Sequence, residues 1–286
     1  MNLLITESPR DAMQGLKEYI PAQTKADYIN CLLKAGFDII DAGSFVSEKA
    51  IPQMRDTAEV LSKLDLTNTS TKIMVLAANE KGFEEATSQE VVTWLAFPFS
   101  ISPTFLKLNI HADLLQGFKL VDQALNLCLQ KGKKLKVYIT MAFGNPYHDD
   151  YHFDMVYELI VRLYSMGVKY ITLSDITGVA TPNLISRIYS KIILNYPNVE
   201  FGLHLHTTPQ TYYVKVNAAV DAGCRSFDAV INGMGGCPMT GYEMVSNLNT
   251  FELLYYCDKN KIDTKINNKA LPEVIKKNKE VFKTIT

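Results

Sequence analysis

Two histidines, His204 and His206, stand one residue apart in FGLHLHTTPQ, a run that otherwise reads as a buried strand. Alternate side chains of a strand share a face, so both imidazoles point the same way, with Cα atoms about 6.6 Å apart. At that spacing they could bind one cation. Gly202 shares their face, whereas Phe201, Leu203 and Leu205 occupy the other, which suits a polar centre with helices outside it. The same alternation also fits two hydrogen-bonded core histidines, so the pair alone decides nothing. Asp11, beside Arg10 after the first strand-like run, gives weight to the first reading. An aspartate, two histidines and an amide oxygen make a mixed nitrogen and oxygen set suited to Mg²⁺, Mn²⁺ or a similar divalent ion.

Such residues need elements to bring them together, and the chain repeats one plan. In LLKAGFDIIDAGSF, LYSMGVKYITLSDITG and AAVDAGCRSFDAVINGMGG a helical pattern ends near a glycine and a strand follows. Gly36, Gly167 and Gly223 fall where a helix end wants a left-handed residue. Further strand-like runs lie near 2–6, 71–77, 91–97, 136–143 and 199–206, making eight. Helical patterns lie near 22–35, 52–63, 79–88, 113–131, 153–166, 182–195, 209–222 and 242–257. Eight strands alternating with eight helices predict an α/β fold, a closed (β/α)8 TIM barrel. The expected organisation is one domain over 1–286, with the barrel at about 2–258 and an added C-terminal helix within about 259–286. That helix would pack on the barrel or on a neighbouring subunit. A doubly wound sheet would want a glycine-rich turn after its first strand, and SPRDAMQ has none.

Composition narrows the function classes. Lys+Arg number 29 against 30 Asp+Glu, a formal charge of −1, so no basic field exists to hold nucleic acid or an anionic membrane. Five scattered cysteines without a CxxC pair suit free thiols in a reducing compartment. No apolar run approaches a membrane span, and the chain enters strand-like NLLIT at once, so the expected setting is cytoplasmic.

Barrel active sites are built at the C-terminal ends of strands. There the sequence places Arg10, Asp11, Asp41, Ser44, Tyr138, Asp175, His204 and His206, and then the loop NGMGGCPMTG with Cys237, followed by Asn247. Each has a plainer reading: Asp11 as a helix cap paired with Arg10, Asp41 and Asp175 as caps or loop-orienting groups, Cys237 as a small buried hydrophobe. The glycines around Cys237 instead suggest a movable loop carrying a proton donor. His111, His148 and His152 read as surface residues.

The motifs PRDAMQ, GSFVSEKAIPQM, SDITGVATP, HLH and GMGGCPMTG…SNL resemble, in order and approximate spacing, the 3-hydroxy-3-methylglutaryl-CoA lyase family over roughly residues 3–255. SFVS…PQM and GGCP are the specific parts, since RD…Q and HxH also resemble isopropylmalate and homocitrate synthases and 4-hydroxy-2-oxoacid aldolases. The resemblance implies cleavage of 3-hydroxy-3-methylglutaryl-CoA to acetoacetate and acetyl-CoA, with a divalent cation, Mg²⁺ or Mn²⁺, held by Asp11, His204, His206 and Asn247. It assigns catalytic roles to Arg10, Asp41, Asp175, His204 and Cys237, and substrate contacts to Arg10, Asn109 and Tyr138. An acyl-CoA substrate, a homodimer, no nucleic-acid or membrane partner, and a place in leucine degradation are the corresponding expectations.

Departures from the family pattern are local. Asp41 stands where the family usually has Glu, Ala12 follows the RD pair in place of Gly, and Thr207 replaces the Asp that commonly follows HxH. Ile176 stands where a Thr is expected, and the loop between Cys237 and Asn247 is one residue longer. Each bears on the exact substrate more than on the reaction class. A condensing synthase or oxo-acid aldolase of the same superfamily, and a non-catalytic barrel, stand as the alternatives.

Overall fold

The computed structural model describes residues 2–235 and 245–282. Eight parallel strands close in sequence order, β1 (Leu4–Glu7), β2 (Ile39–Ser44), β3 (Lys72–Leu76), β4 (Val92–Ser100), β5 (Lys134–Thr140), β6 (Tyr170–Asp175), β7 (Glu200–Leu205) and β8 (Ser226–Ala229), with β8 pairing back to β1. The expected (β/α)8 barrel is what forms. Strands covered by helices outside and side chains inside are buried on both faces, which is why β2 and β8 are buried throughout.

The pleat sorts the core into two parts. Ile39, Met74, Trp94 and Ala96 cluster inside the barrel, whereas their neighbours Ile40, Val75, Leu95 and Phe97 belong to the larger core between strands and helices. Gly202 faces inward, where a Cβ would come 2.6 Å from Thr172 Oγ1; the interior has no room for a side chain there.

The connecting helices are α2 (Ala22–Ala35), α3 (Thr57–Ser62), α4 (Glu80–Ser88), α6 (Leu114–Gln130), α7 (Phe153–Ser165), α8 (Pro182–Asn195), α9 (Tyr212–Asp221) and α10 (Thr250–Lys259). Gly36, Gly167 and Gly223 have φ of 78°, 93° and 98°, the left-handed helix endings that the repeat predicts. Two elements escape the periodicity: α1 (Pro9–Met13), a single turn started by proline, and α5 (Pro103–Ile110), capped by the Ser102 hydroxyl. The predicted helix near 242–257 begins only at Thr250. Asn249 caps it by accepting from the Phe251 amide, while Asn247 bridges to His206 and Asn249 to Val230.

The tail forms α11 (Leu271–Val281), which packs on the barrel. Phe282 meets Tyr28 of α2 edge to face at 6.2 Å, and Asn278 Nδ2 donates to the Tyr28 hydroxyl. Val274 and Val281 of this helix are buried within the chain. Cys31, Cys128, Cys224 and Cys257 are buried free thiols. Among the described residues, no helix is long and apolar enough to cross a membrane.

Candidate active site

At the C-terminal ends of the strands lies a cavity of about 350 Å³. Its lining includes the polar Arg10, Asp11, Asp41, Tyr138, His204 and His206 and the apolar Val46, Ile51, Leu76, Phe105 and Leu108. Arg10 and Asp11 arrive on α1, whose single turn directly follows β1. Gln14, one turn on, donates to Asp11 Oδ1 and accepts from Arg10 Nη1, locking the PRDAMQ stretch onto itself.

Arg10 is held from two sides. Its Nε and Nη2 donate to Asp41 Oδ2 at 3.0 and 2.6 Å, and Nη1 donates to Asp11 Oδ1 at 3.2 Å. Burial opposes the guanidinium charge, but Asp41 and Asp11 overcome it and hold Arg10 firmly cationic. Asp41 lies beside a register irregularity of β2, a device that re-aims side chains next to active sites. Its other oxygen, Oδ1, is buried without a hydrogen-bond partner, and burial raises its pKa despite Arg10.

The donor atoms of Asp11, His204 and His206 all lie within 4.8 Å of one another, with His204 Nε2 4.0 Å from Asp11 Oδ2. Segment 245–249 joins them by running antiparallel to the end of β7: Thr207 N–H donates to Ser246 O, and Leu248 N–H to Leu205 O. Asn247 Nδ2 donates to Met234 O, which fixes the amide so that Oδ1 is left buried and unpartnered. His206 Nδ1 is likewise buried and unpartnered. Two orphaned polar atoms, one on His206 and one on Asn247, whose amide also reaches the Asp11 carboxylate, are costly in themselves and fit a divalent cation as the missing partner. Burial, then the neighbouring His204, push His206 down to about 4, keeping it a neutral donor. Burial raises the pKa of Asp11, but Arg10, His204 and His206 outweigh it and keep Asp11 ionised.

The glycine-rich loop approaches closely. Gly235, at φ 81°, passes so near α1 that a Cβ would lie 2.7 Å from Asp11 O, so only glycine fits. Cys237 lies outside the described residues. Asn109, on the last turn of α5, and Tyr138, on β5, both line the cavity. Asp175 is not among its lining residues. Ser174 takes the inward position of β6, and the Asp175 carboxylate turns to the following loop, accepting from Val179 and Ala180 N–H at 3.0 and 2.9 Å, with Lys215 Nζ 3.4 Å away. It is a loop-orienting group. His111, expected as a plain surface residue, is exposed but also lines the cavity mouth.

Sequence reasoning missed Asp228 and Lys136. Asp228 sits in register with His204 across β7 and β8, and its Oδ2 is 3.4 Å from His204 Nδ1. Lys136 lies two residues before Tyr138, hence on the same inward face. Strand parity, applied to charged residues as it was to the histidines, would have found both.

A closed parallel barrel that gathers Asp, two His and an Asn amide around an arginine at its mouth defines a class: barrel enzymes with a mixed nitrogen and oxygen cation site. Within that class the chain belongs to the HMGL-like family, whose model matches residues 3–277. It is 31% identical over 273 residues to mitochondrial hydroxymethylglutaryl-CoA lyase of Homo sapiens, covering 94% of this chain and 82% of that protein. It is 29% identical over 252 residues to the cytoplasmic 3-hydroxy-3-methylglutaryl-CoA lyase of Danio rerio, covering 88% and 74%. An HMG-CoA lyase from Acenitobacter baumannii, solved in complex with coenzyme A and 3-methylmalate, superposes with a TM-score of 0.90 at 30% identity, covering 98% of this chain and 91% of that one.

Proposed function

We propose that this chain is a carbon–carbon lyase that cleaves 3-hydroxy-3-methylglutaryl-CoA to acetoacetate and acetyl-CoA. The observation that carries the reading is the convergence of Asp11, His204, His206 and the oriented Asn247 amide with Arg10 beside a cavity also lined by Val46, Ile51, Leu76, Phe105 and Leu108. Relatives named for this activity cover most of their length with this chain.

The reaction removes the proton of the tertiary hydroxyl and breaks the C2–C3 bond. C3 becomes the ketone of acetoacetate, and the bonding electrons pass to C2 and the thioester oxygen as an enolate, which takes a proton at C2 to give acetyl-CoA. A divalent ion, for which we favour Mg²⁺ or Mn²⁺, would be held by Asp11, His204, His206 and Asn247 and supply Lewis acidity toward the substrate oxygens. Arg10, permanently charged and fixed by Asp41, stabilises the enolate oxygen as charge develops there. Asp41 through its free Oδ1, or His204 when its Nε2 is not held by the ion, accepts the hydroxyl proton. Cys237 is assigned the proton returned to C2. Asn109 and Tyr138 contact the substrate from the cavity wall, and the apolar lining residues take the uncharged part of the acyl-CoA.

The test is release of acetyl-CoA from the thioester by metal-loaded protein, run beside 4-hydroxy-2-oxovalerate and beside acetyl-CoA with a 2-oxo acid. Cleavage confined to the thioester is expected. Turnover of either comparison substrate with the thioester left intact would reassign the chain to an aldolase or synthase. One barrel domain with a helical extension, a homodimer, a cytoplasmic setting and service in leucine degradation complete the reading. The buried free thiols suit a reducing compartment, and light scattering decides the dimer.

A further inference from the structure

At the floor of the cavity, which Asp228 helps to line, the strands place two full charges where barrel interiors ordinarily hold branched apolar side chains. Lys136 on β5 and Asp228 on β8 are both buried. Lys136 Nζ lies 3.9 Å from Asp228 Oδ1 and 3.4 Å from Thr6 Oγ1, and stands 5.6 and 5.9 Å from the ring centroids of Trp94 and Tyr138. Two ions withdrawn from water are not repaid by mutual attraction alone; their remaining lone pairs and protons need partners. Yet neither oxygen of Asp228 has a hydrogen bond of ordinary geometry. What faces them is His204, with Nδ1 at 3.4 Å, and the Tyr138 hydroxyl. On its opposite side His204 turns Nε2 toward Asp11, 4.0 Å away, among the cation donors.

A neutral imidazole has two tautomers. With the proton on Nδ1, the Nε2 lone pair is free to bind a cation or take a proton; with it on Nε2, that lone pair is lost. A carboxylate fixed behind the ring selects the first form, because it can only accept.

We propose that Lys136 and Asp228 form a positioning pair for His204: Asp228 accepts from His204 Nδ1–H and so keeps Nε2 bare and aimed at the cation site, while Lys136 supplies the counter-charge that lets a carboxylate stand inside the barrel. In this arrangement Lys136 and Asp228 act through His204. The tautomer itself is independent of the lyase reading; its consequence for cation binding rests on that reading.

The test uses metal-free full-length protein labelled with ¹⁵N-histidine, at a pH above the imidazole titration range, with the His204 resonances identified by their loss in His204→Gln. In the wild type, long-range proton–nitrogen correlations should show His204 protonated at Nδ1 and bare at Nε2. Asp228→Asn, whose amide can donate as readily as accept, should yield a mixed or reversed tautomer. Its Mn²⁺ affinity by calorimetry should fall about 10- to 100-fold. Should the single substitution fail to fold with Lys136 unpaired, the double variant Lys136→Met with Asp228→Asn removes both charges; it should fold and show the same tautomer loss, which a purely structural pair would not. A wild-type His204 protonated at Nε2, or variants that keep both the tautomer and the Mn²⁺ affinity within twofold, would overturn the proposal. Wild-type protein that binds no Mn²⁺ would instead count against the metal-dependent reading, with the tautomer still deciding the pair.

Discussion

Arg10 shows how a shorter acid can serve where a longer one is usual. Asp41 spends one oxygen on the Nε and Nη2 of the guanidinium and leaves the other free, so the fork fixes the arginine while the carboxylate keeps an acceptor. Arg10→Lys tests what that geometry does. A lysine keeps the charge but cannot reproduce the two donors that converge on Asp41 Oδ2. Because the enolate oxygen carries charge only once the C2–C3 bond is breaking, the loss should fall on kcat, on the order of 10²- to 10³-fold, with KM little changed. Initial rates of acetyl-CoA release over a substrate series measure this. A KM that rises while kcat holds would move Arg10 to ground-state binding of the thioester. Asp175 is held in its own way: its carboxylate accepts from Val179 N–H and Ala180 N–H, with Lys215 Nζ 3.4 Å away.

Among the elements, the strands were legible because period-two alternation survives where a polar interior meets an apolar exterior, as in His204 and His206 against Leu203 and Leu205. The turns that carry chemistry were less so. Five residues of α1 hold less than two turns of pattern, and α10 starts late because its Asn-rich approach serves β7 and β8 first. Strand parity puts Lys136 and Asp228 each on an inward face, but not their pairing, which joins strands far apart in sequence. Glu7, at the end of β1, is a further case. Its Oε1 accepts from Ile231 N–H and its Oε2 from the Thr250 hydroxyl, tying β1 to the chain on both sides of the glycine loop. Burial, only partly offset by those two donors, raises its pKa from 4.5 to about 8. Between those values the folded state keeps a proton that the unfolded chain has released, so this group's contribution is full below about 4.5 and is lost as pH rises to about 8. The slope is at most about 1.4 kcal/mol per pH unit. Glu7→Gln keeps an acceptor for Ile231 and removes the titration. Urea midpoints should decline between about pH 5 and pH 8 in the wild type and stay flatter in the variant. Parallel declines in both would show that Glu7 is ionised in the fold throughout.

At the scale of the whole molecule, the closed barrel leaves no free sheet edge, yet the chain adds a helix after the eighth unit. That helix reaches from the outer layer to the site through one buried residue: Asn278 Nδ2 donates to the Tyr28 hydroxyl, and its Oδ1 accepts from Asn232 Nδ2. Asn232, at φ 62°, stands just before the glycine run that leads past Asp11. The tail is thus part of the fold's closure and a brace behind the site. Asn278→Ala, which strands the buried Tyr28 hydroxyl and removes the tie to exposed Asn232, should cost about 1–3 kcal/mol. Ending the chain at Ala270 should cost more, on the order of 5 kcal/mol, because Val274, Val281 and Phe282 also lose their burial. Thermal unfolding should place the two variants in that order below the wild type, with Asn278→Ala still folded and assayable at room temperature. An unfolding midpoint unchanged by truncation would make α11 an appendage and leave Asn232 to hold its left-handed turn without it.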